Sequence, residues 1–242
     1  MASIPHLVII PTYNEAGNIL RQIAELKSTR EHLASNHLFD VLVVDDGSPD
    51  GTAKLVSDLN LPWVNVEVRL EKSGLGDAYK HGFAWAKERG YKYVIEMDAD
   101  GSHQTKDLYK LLEAPAVNDL VIGSRWIPHG EVENWPLHRK LLSQLGNVYS
   151  KIALGISIKD STSGFRRISL AALNEIDMST INAKGYGFQI EMAYRIAKSG
   201  RRVCEVPITF IERIEGKSKM SIAIVIEALL LISELGIQRI FF

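Results

Sequence analysis

A single cysteine, Cys204, in 242 residues rules out an intramolecular disulfide framework and fits a reducing compartment. A charge excess of either sign is missing too. The 28 Lys and Arg stand against 29 Asp and Glu, so no global field argues for nucleic acid. The opening residues, Met1-Ala2-Ser3-Ile4-Pro5, lack the basic-then-apolar order of a signal peptide. The first apolar run ends in Pro11-Thr12-Tyr13-Asn14-Glu15, where a dinucleotide-binding dehydrogenase would carry Gly-x-Gly-x-x-Gly. Gly74-Leu75-Gly76 lacks the third glycine and follows the third run instead of the first. Glu215-Gly216-Lys217-Ser218 imitates the end of a phosphate-binding loop, yet that loop needs a glycine where Ile211 stands. His103, His129 and His138 show no paired metal spacing and read as hydrogen-bonding loop residues. No internal repeat or low-complexity linker interrupts the chain. Residues 1–242 therefore read as a single domain with enough apolar sequence for a core.

What is present is an alternation. The apolar runs Leu7–Ile10, Val41–Val44, Val64–Leu70, Tyr93–Met97 and Leu120–Ile122 are separated by helical patterns. Those patterns fall at Asn18–Leu26, Thr52–Leu59, Ala78–Lys87 and Leu108–Leu112. Such a β-α repeat predicts an α/β fold with an open, mainly parallel central sheet and flanking helices. Ligands of such sheets bind at the carboxyl ends of the strands. After Gly123 the rhythm breaks into a stretch rich in Trp, Pro, His and Gly. Helices are expected at about Leu141–Leu154 and Phe188–Ala197, with a strand at Val203–Ile211. Residues 221–242 are apolar and about long enough to span a bilayer. Glu227 and Glu234 share one face of that helix with Ala223 and Gln238. Each carboxylate in mid-span costs about 2.5–3.5 kcal/mol, so an amphipathic helix is expected, packed on the domain or lying on a membrane.

Acidic residues tip two of the strands: Asp98-Ala99-Asp100 follows Tyr93–Met97, and Asp45-Asp46 follows Val41–Val44. Carboxylates spaced i, i+2 at an open strand end suit a hard divalent cation, Mg²⁺ or Mn²⁺. Such an ion keeps some water and shares its other ligands with substrate phosphates. Of the second pair, Asp46 is expected to face a ligand, while Asp45 and Asp50 brace a turn. The turn carrying Tyr13 and Glu15 can hold a nucleobase and ribose, with Asn14 expected as a helix N-cap. A Gly-flanked loop presents Arg213, Lys217 and Lys219 as a clamp for phosphates. Arg125 ends a strand unit. Arg139 and Ser143 share a face if their helix begins near Leu137, and can then bind one phosphate between them. The first 120 residues hold 12 Lys and Arg against 18 Asp and Glu, and the remainder 16 against 11. An acidic half suits metal binding, and a basic half suits anionic ligands or an anionic membrane face.

Taken in order, these segments resemble the family-2 glycosyltransferases of GT-A fold, and within them the dolichyl- or polyprenyl-phosphate mannose synthases. The resemblance runs from about Val8 to Ser221. It is carried by Val8–Glu15, Asp45–Thr52, Met97–Asp100, Gly123-Ser124-Arg125, Asn134–Arg139, Ser163-Gly164-Phe165-Arg166 and Glu205-Val206-Pro207-Ile208 through Arg213 to Lys219. Asn134–Arg139 and Gly185–Glu191 look most like the actinobacterial type.

The resemblance implies an inverting transfer of mannose from GDP-mannose to polyprenyl (dolichyl) phosphate, giving the β-linked mannosyl lipid. It implies that Pro11, Tyr13, Glu15, Val44 and Asp46 line the guanosine pocket. Asp98, Ala99 and Asp100 would meet the diphosphate and its Mg²⁺ or Mn²⁺, and Arg213 and Lys219 would close over the phosphates. Arg125, Arg139 and Ser143 would hold the lipid phosphate, with Asp100, Arg125 and Arg139 central to catalysis. Ser102 stands where some members carry a metal-binding Gln, which leaves a coordination place for water. Other members add transmembrane helices. This chain is therefore expected in the cytoplasm, peripheral on the cytosolic face of a membrane, alone or with a membrane-anchored partner protein. Two rivals stand beside this reading: a UDP-glucose-dependent polyprenyl-phosphate glucosyltransferase and a non-catalytic nucleotide-sugar-binding subunit.

Overall fold

A computed structural model describes residues 6–33, 37–183, 185–212 and 222–241. The first half contains β1 His6–Thr12, α1 Ile19–His32, β2 Phe39–Asp45, α2 Thr52–Ser57, β3 Val64–Val68, α3 Leu75–Glu88, β4 Tyr93–Glu96 and α4 Leu108–Glu113. Then come β5 Leu120–Ser124, β6 Glu131–Glu133, α5 Leu137–Leu154, β7 Arg166–Ser169, α6 Leu170–Leu173, α7 Gly185–Lys198, β8 Val203–Pro207, β9 Thr209–Ile211 and α8 Ile222–Phe241.

Alternate residues of the apolar strands serve opposite faces of the sheet. Leu7, Ile9, Leu42 and Val44 pack with Tyr79 and Phe83 of α3 and Phe188 of α7. Their neighbours Val8, Ile10, Val41 and Val43 pack with Ile23 of α1, Val56 of α2 and Leu111 of α4. All eight strand residues are fully buried, at roughly 1.5–3 kcal/mol each. Burial on both faces explains why these strands read as continuous apolar runs.

The seven-stranded sheet has the order β3-β2-β1-β4-β7-β5-β8. β2, β1, β4 and β3 run parallel, as do β5 and β8, while β7 runs antiparallel between β4 and β5. The sheet is thus mainly parallel, as expected, with one reversed strand that the alternation did not reveal. β7 begins Arg166-Arg167, which reads as polar surface, yet both side chains are almost wholly buried. Arg167 donates to the carbonyls of Ala114 (2.7 Å) and Pro115 (3.1 Å), so its charge meets oxygens instead of solvent. Chain order reverses direction between β1 and β4, and the switch point falls between the turn after Thr12 and the acids after Glu96.

Several boundaries differ from expectation. The strand expected over Val203–Ile211 divides at Pro207: β8 joins the main sheet, and β9 pairs with β6 in a separate two-stranded sheet. β8 is the edge strand of the sheet and Pro207, opposite Ser124, is its last paired residue, where a missing N–H is tolerated. Asn14 does not cap α1. It adopts φ 57°, outside the helix, and Asn18 is the N-cap residue. α5 starts at Leu137, directly after Pro136. α8 packs its Ile232 and Leu235 into the core while Glu227 and Glu234 stay exposed, which is the domain-packed arrangement. Among the described residues no helix is long and apolar enough to cross a membrane.

Candidate active site

At the switch point the chain leaves β1 through Pro11-Thr12 and turns over the end of β2. The Thr12 hydroxyl donates to Asp45 (2.8 Å), and the Ser48 backbone N–H and hydroxyl donate to the same carboxylate (2.8 and 2.6 Å). Asp50 accepts from the N–H of Ala16 (3.0 Å) and from the Thr52 hydroxyl (2.6 Å). Asp45 and Asp50 are therefore the braces expected of them. Asp46 instead faces a cavity of about 330 Å³. Burial raises its carboxyl above the ordinary range, against the pull of Arg69, whose guanidinium lies 3.1 Å away. On the same loop Lys72 places its ammonium 3.7 Å from the centre of the Tyr13 ring, a cation–π contact at the cavity wall.

The floor of this cavity is the end of β4. Asp98, Ala99 and Asp100 all line it, opposite Pro11, Tyr13 and Glu15. The turn is held from within. The Asp98 N–H donates to His103 Nδ1 (3.1 Å), and the Ser102 N–H donates to the Asp100 carboxylate (3.0 Å). His103 is buried and stacked on Phe165, and burial lowers its pKa. A neutral imidazole whose Nδ1 is already accepting positions Asp98; it serves the loop, as the sequence indicated. Gly101 has φ 78°, and a Cβ there would come within 2.8 Å of the Arg21 guanidinium. The acidic turn thus depends on that glycine.

Among the described residues no group of three or more His, Cys, Asp or Glu side chains forms a metal cage. Two cavity-facing carboxylates at one strand end nevertheless fit Mg²⁺ or Mn²⁺, which take part of their shell from water and phosphate oxygens. The Ser102 hydroxyl, buried beside them, has no hydrogen-bond partner among the described residues, so a polar valence remains open there. Beneath the turn lies Glu96, fully buried. Burial raises its pKa to about 7 despite the Arg166 charge nearby. Arg166 spends its own donors on the carbonyls of Ser163 and Gln189 (2.6 Å each) and of Ser161.

A second cavity, of about 320 Å³, adjoins the first. Arg125, Arg139 and Ser143 all line it, so these three expected partners share one cavity. Arg125 is clasped by Asp160 through Nε (2.8 Å) and Nη2 (2.7 Å), and Nη2 also reaches the Thr162 hydroxyl (2.8 Å). Asp160 is itself fixed. Its backbone N–H and that of Lys159 donate to Glu205 on β8, at 2.9 Å each. Arg139 lies 3.9 Å from the Trp135 ring centre and is ion-paired with Glu212, while its Nε has no partner among the described residues. The rest of the wall is apolar: Leu142, Leu145 and Tyr149 of α5, Ile190 of α7, and Val225, Leu229 and Ile232 of α8. Thr162, Tyr186 and Ile224 line both cavities.

Of the other expected residues, Val44 stands apart from the rest. Strand alternation turns its side chain into the core under α3, and it does not line the cavity. Arg213, Lys217 and Lys219 lie outside the described residues. Sequence reasoning missed Lys72, Asp160, Thr162 and Tyr186. Lys72 follows the strand next to β2 in the sheet, just before Gly74, a placement that a stated strand order would have flagged. Asp160 and Thr162 belong to a segment without periodic signal, and Tyr186 stands two residues before the helix expected at Phe188–Ala197.

Residues 7–177 match the family model "Glycosyl transferase family 2". The undecaprenyl-phosphate mannosyltransferase of Micrococcus luteus is 47% identical over 233 residues, covering 96% of this chain and 93% of that protein. The polyprenol monophosphomannose synthase of Mycolicibacterium smegmatis is 48% identical over 236 residues, covering 96% of this chain and 87% of that protein. Among solved structures, glucosyl-3-phosphoglycerate synthase from Mycobacterium tuberculosis, in complex with Mn²⁺, UDP and phosphoglyceric acid, shares the fold. The TM-score is 0.71 at 17% identity, over 97% of this chain and 79% of that one.

Proposed function

The chain belongs to glycosyl transferase family 2, and from that premise we propose that it transfers mannose from GDP-mannose to polyprenyl (dolichyl) phosphate with inversion. The observation that carries this reading is the pair of adjoining cavities. One offers two carboxylates at a strand end and a turn bearing Tyr13. The other offers two arginines at the head of an apolar groove. The first has the chemistry for a nucleoside diphosphate sugar, and the second for a lipid phosphate. The two curated relatives, both named for mannosyl transfer to prenyl carriers, support that assignment.

Asp98 and Asp100 are the residues to hold the divalent ion, and Pro11, Tyr13, Glu15 and Asp46 the nucleoside. When bound, the ion supplies neutralisation of the charge that grows on the departing diphosphate. Arg213 and Lys219 are assigned to the same charge. The acceptor is a phosphate monoester with a second pKa near ~6, so most of it is dianionic at neutral pH. It needs orientation and desolvation more than a base. Arg125, Arg139 and Ser143 are assigned to that orientation.

α5 and α8 also expose Leu137, Leu145, Ile152, Leu230, Ile237 and Phe241, each more than half accessible. Such a surface supports contact with a bilayer that carries the acceptor, and in this reading the protein works peripherally on the cytosolic face, alone or with a membrane-anchored partner.

The test is sugar transfer from radiolabelled GDP-mannose to a short polyprenyl phosphate with Mg²⁺, with Mn²⁺ or with EDTA, and UDP-glucose in parallel. Metal-dependent label in the lipid phase is expected with GDP-mannose. Label from UDP-glucose alone would move the donor assignment, and silence with both would overturn the reading.

A further inference from the structure

Three side chains line both cavities, and they differ in what they have left to offer. Ile224 is apolar. The Thr162 hydroxyl is committed: it accepts from Arg125 Nη2 (2.8 Å) and Asn147 Nδ2 (3.3 Å) and donates to Asp160 (3.2 Å). One donor and two acceptor sites are all that a hydroxyl has. Tyr186, half-buried on the first turn of α7, makes no hydrogen bond through its hydroxyl among the described residues. Arg125 lines the acceptor cavity together with Tyr186.

We infer that Tyr186 is a catalytic residue: its phenol donates a hydrogen bond to a non-bridging oxygen of the acceptor phosphate and aims the attacking oxygen at the donor sugar. The inference rests on the proposed lipid-phosphate acceptor. Arg125 and Arg139 each carry a resident carboxylate partner, so charge attraction alone leaves the phosphate loosely oriented. A phenol at the boundary of the two cavities supplies direction without adding charge, and its ring can rest against the first carbons of the lipid.

In the step, the phosphate oxygen forms the bond to the anomeric carbon as the bond from that carbon to the diphosphate breaks. The electron pair leaves on the diphosphate. Two dianions become a trianionic nucleoside diphosphate and a monoanionic phosphodiester, so no proton is transferred. Tyr186 enters only as a hydrogen-bond donor. Its hydrogen bond has to be correct only while the two substrates approach, so its loss falls mainly on the rate and little on donor affinity.

The experiment compares wild type with Tyr186→Phe, measuring transfer to polyprenyl phosphate, mannose released to water, and KM for each substrate. Losing a hydrogen bond to a charged group predicts a kcat about 10- to 100-fold lower. Donor KM should stay within about twofold, and a larger fraction of donor should be lost to water. Thr162→Val provides the contrast: it loosens Arg125 and should raise acceptor KM instead. Wild-type kinetics in Tyr186→Phe would overturn the inference. So would a raised donor KM or a lowered melting temperature accounting for the loss, since either makes the residue structural. A wild type that transfers no sugar to the lipid would overturn the proposed function, and this inference with it. A transferring wild type matched by its variant would overturn the Tyr186 role alone.

Discussion

Arg125 and Asp160 form a two-pronged, almost wholly buried ion pair, and the same carboxylate takes the Arg125 backbone N–H at 2.9 Å. Burial by itself would raise the Asp160 carboxyl. The Arg125 charge and these hydrogen bonds outweigh it and hold the group below its ordinary value.

Asp160→Asn leaves the guanidinium buried without its counter-charge. A loss of about 3–5 kcal/mol in stability is expected, read by denaturant melts at neutral pH. Because the folded pKa is depressed, the pair's contribution is present above about pH 4 and disappears as pH falls through the lowered value. An Asn variant as stable as wild type would mean that water or another acidic group compensates.

Asp98→Asn and Asp100→Ala test the metal assignment. Both should abolish label in the lipid phase. The N–H that Ser102 donates to Asp100 is a local turn bond, so Asp100→Ala also removes an acceptor from the turn, which Asp98→Asn leaves in place. Binding of Mn²⁺ in the presence of GDP should weaken in parallel. Near-normal turnover in either variant removes that carboxylate from the ion.

Glu212→Gln concerns the other arginine. Glu212 is about a quarter exposed and paired with Arg139, so an incoming phosphate must compete with it. Partly solvated pairs are worth about 0.2–1 kcal/mol, so the acceptor KM should fall, by about fivefold at most. A rise in KM would instead make Glu212 the residue that orients Arg139.

Glu96 has a folded pKa near 7, above its unfolded value of 4.5. Its stabilising effect is therefore full below about pH 4.5 and is lost as pH rises to about 7. The stability of wild type relative to Glu96→Gln should drop by about 1.4 kcal/mol per pH unit across that window and then level off. Parallel pH–stability curves for the two proteins would show that Glu96 does not ionise there.

The first half of the chain was legible because periodicity and burial agree in it. Val8 and Leu7 are equally apolar because both faces of their strand are covered, and acids at such strand tips stand out. The second half was less legible because its structural signals are long-range. β7 opens with two arginines whose burial makes sense only once the carbonyls of α4 and α7 surround them. Asp160 resembles any loop acid until Arg125 folds onto it. Tyr186 gains interest only from two cavities built by other segments. Val44 shows the converse: a residue expected in the pocket from resemblance is turned away by the simple alternation of its strand.

The acceptor groove is small for a polyprenol. At about 320 Å³ it resembles a drug-sized site, with room for a headgroup and a short stub of hydrocarbon. Most of a long isoprenoid tail must then remain in the bilayer, where it gains nothing from the protein. Truncated water-dispersible acceptors should therefore serve nearly as well as full-length carriers. Whatever pool of prenyl phosphates a cell maintains, under the proposed function the membrane's composition, more than this protein, decides which tails are mannosylated.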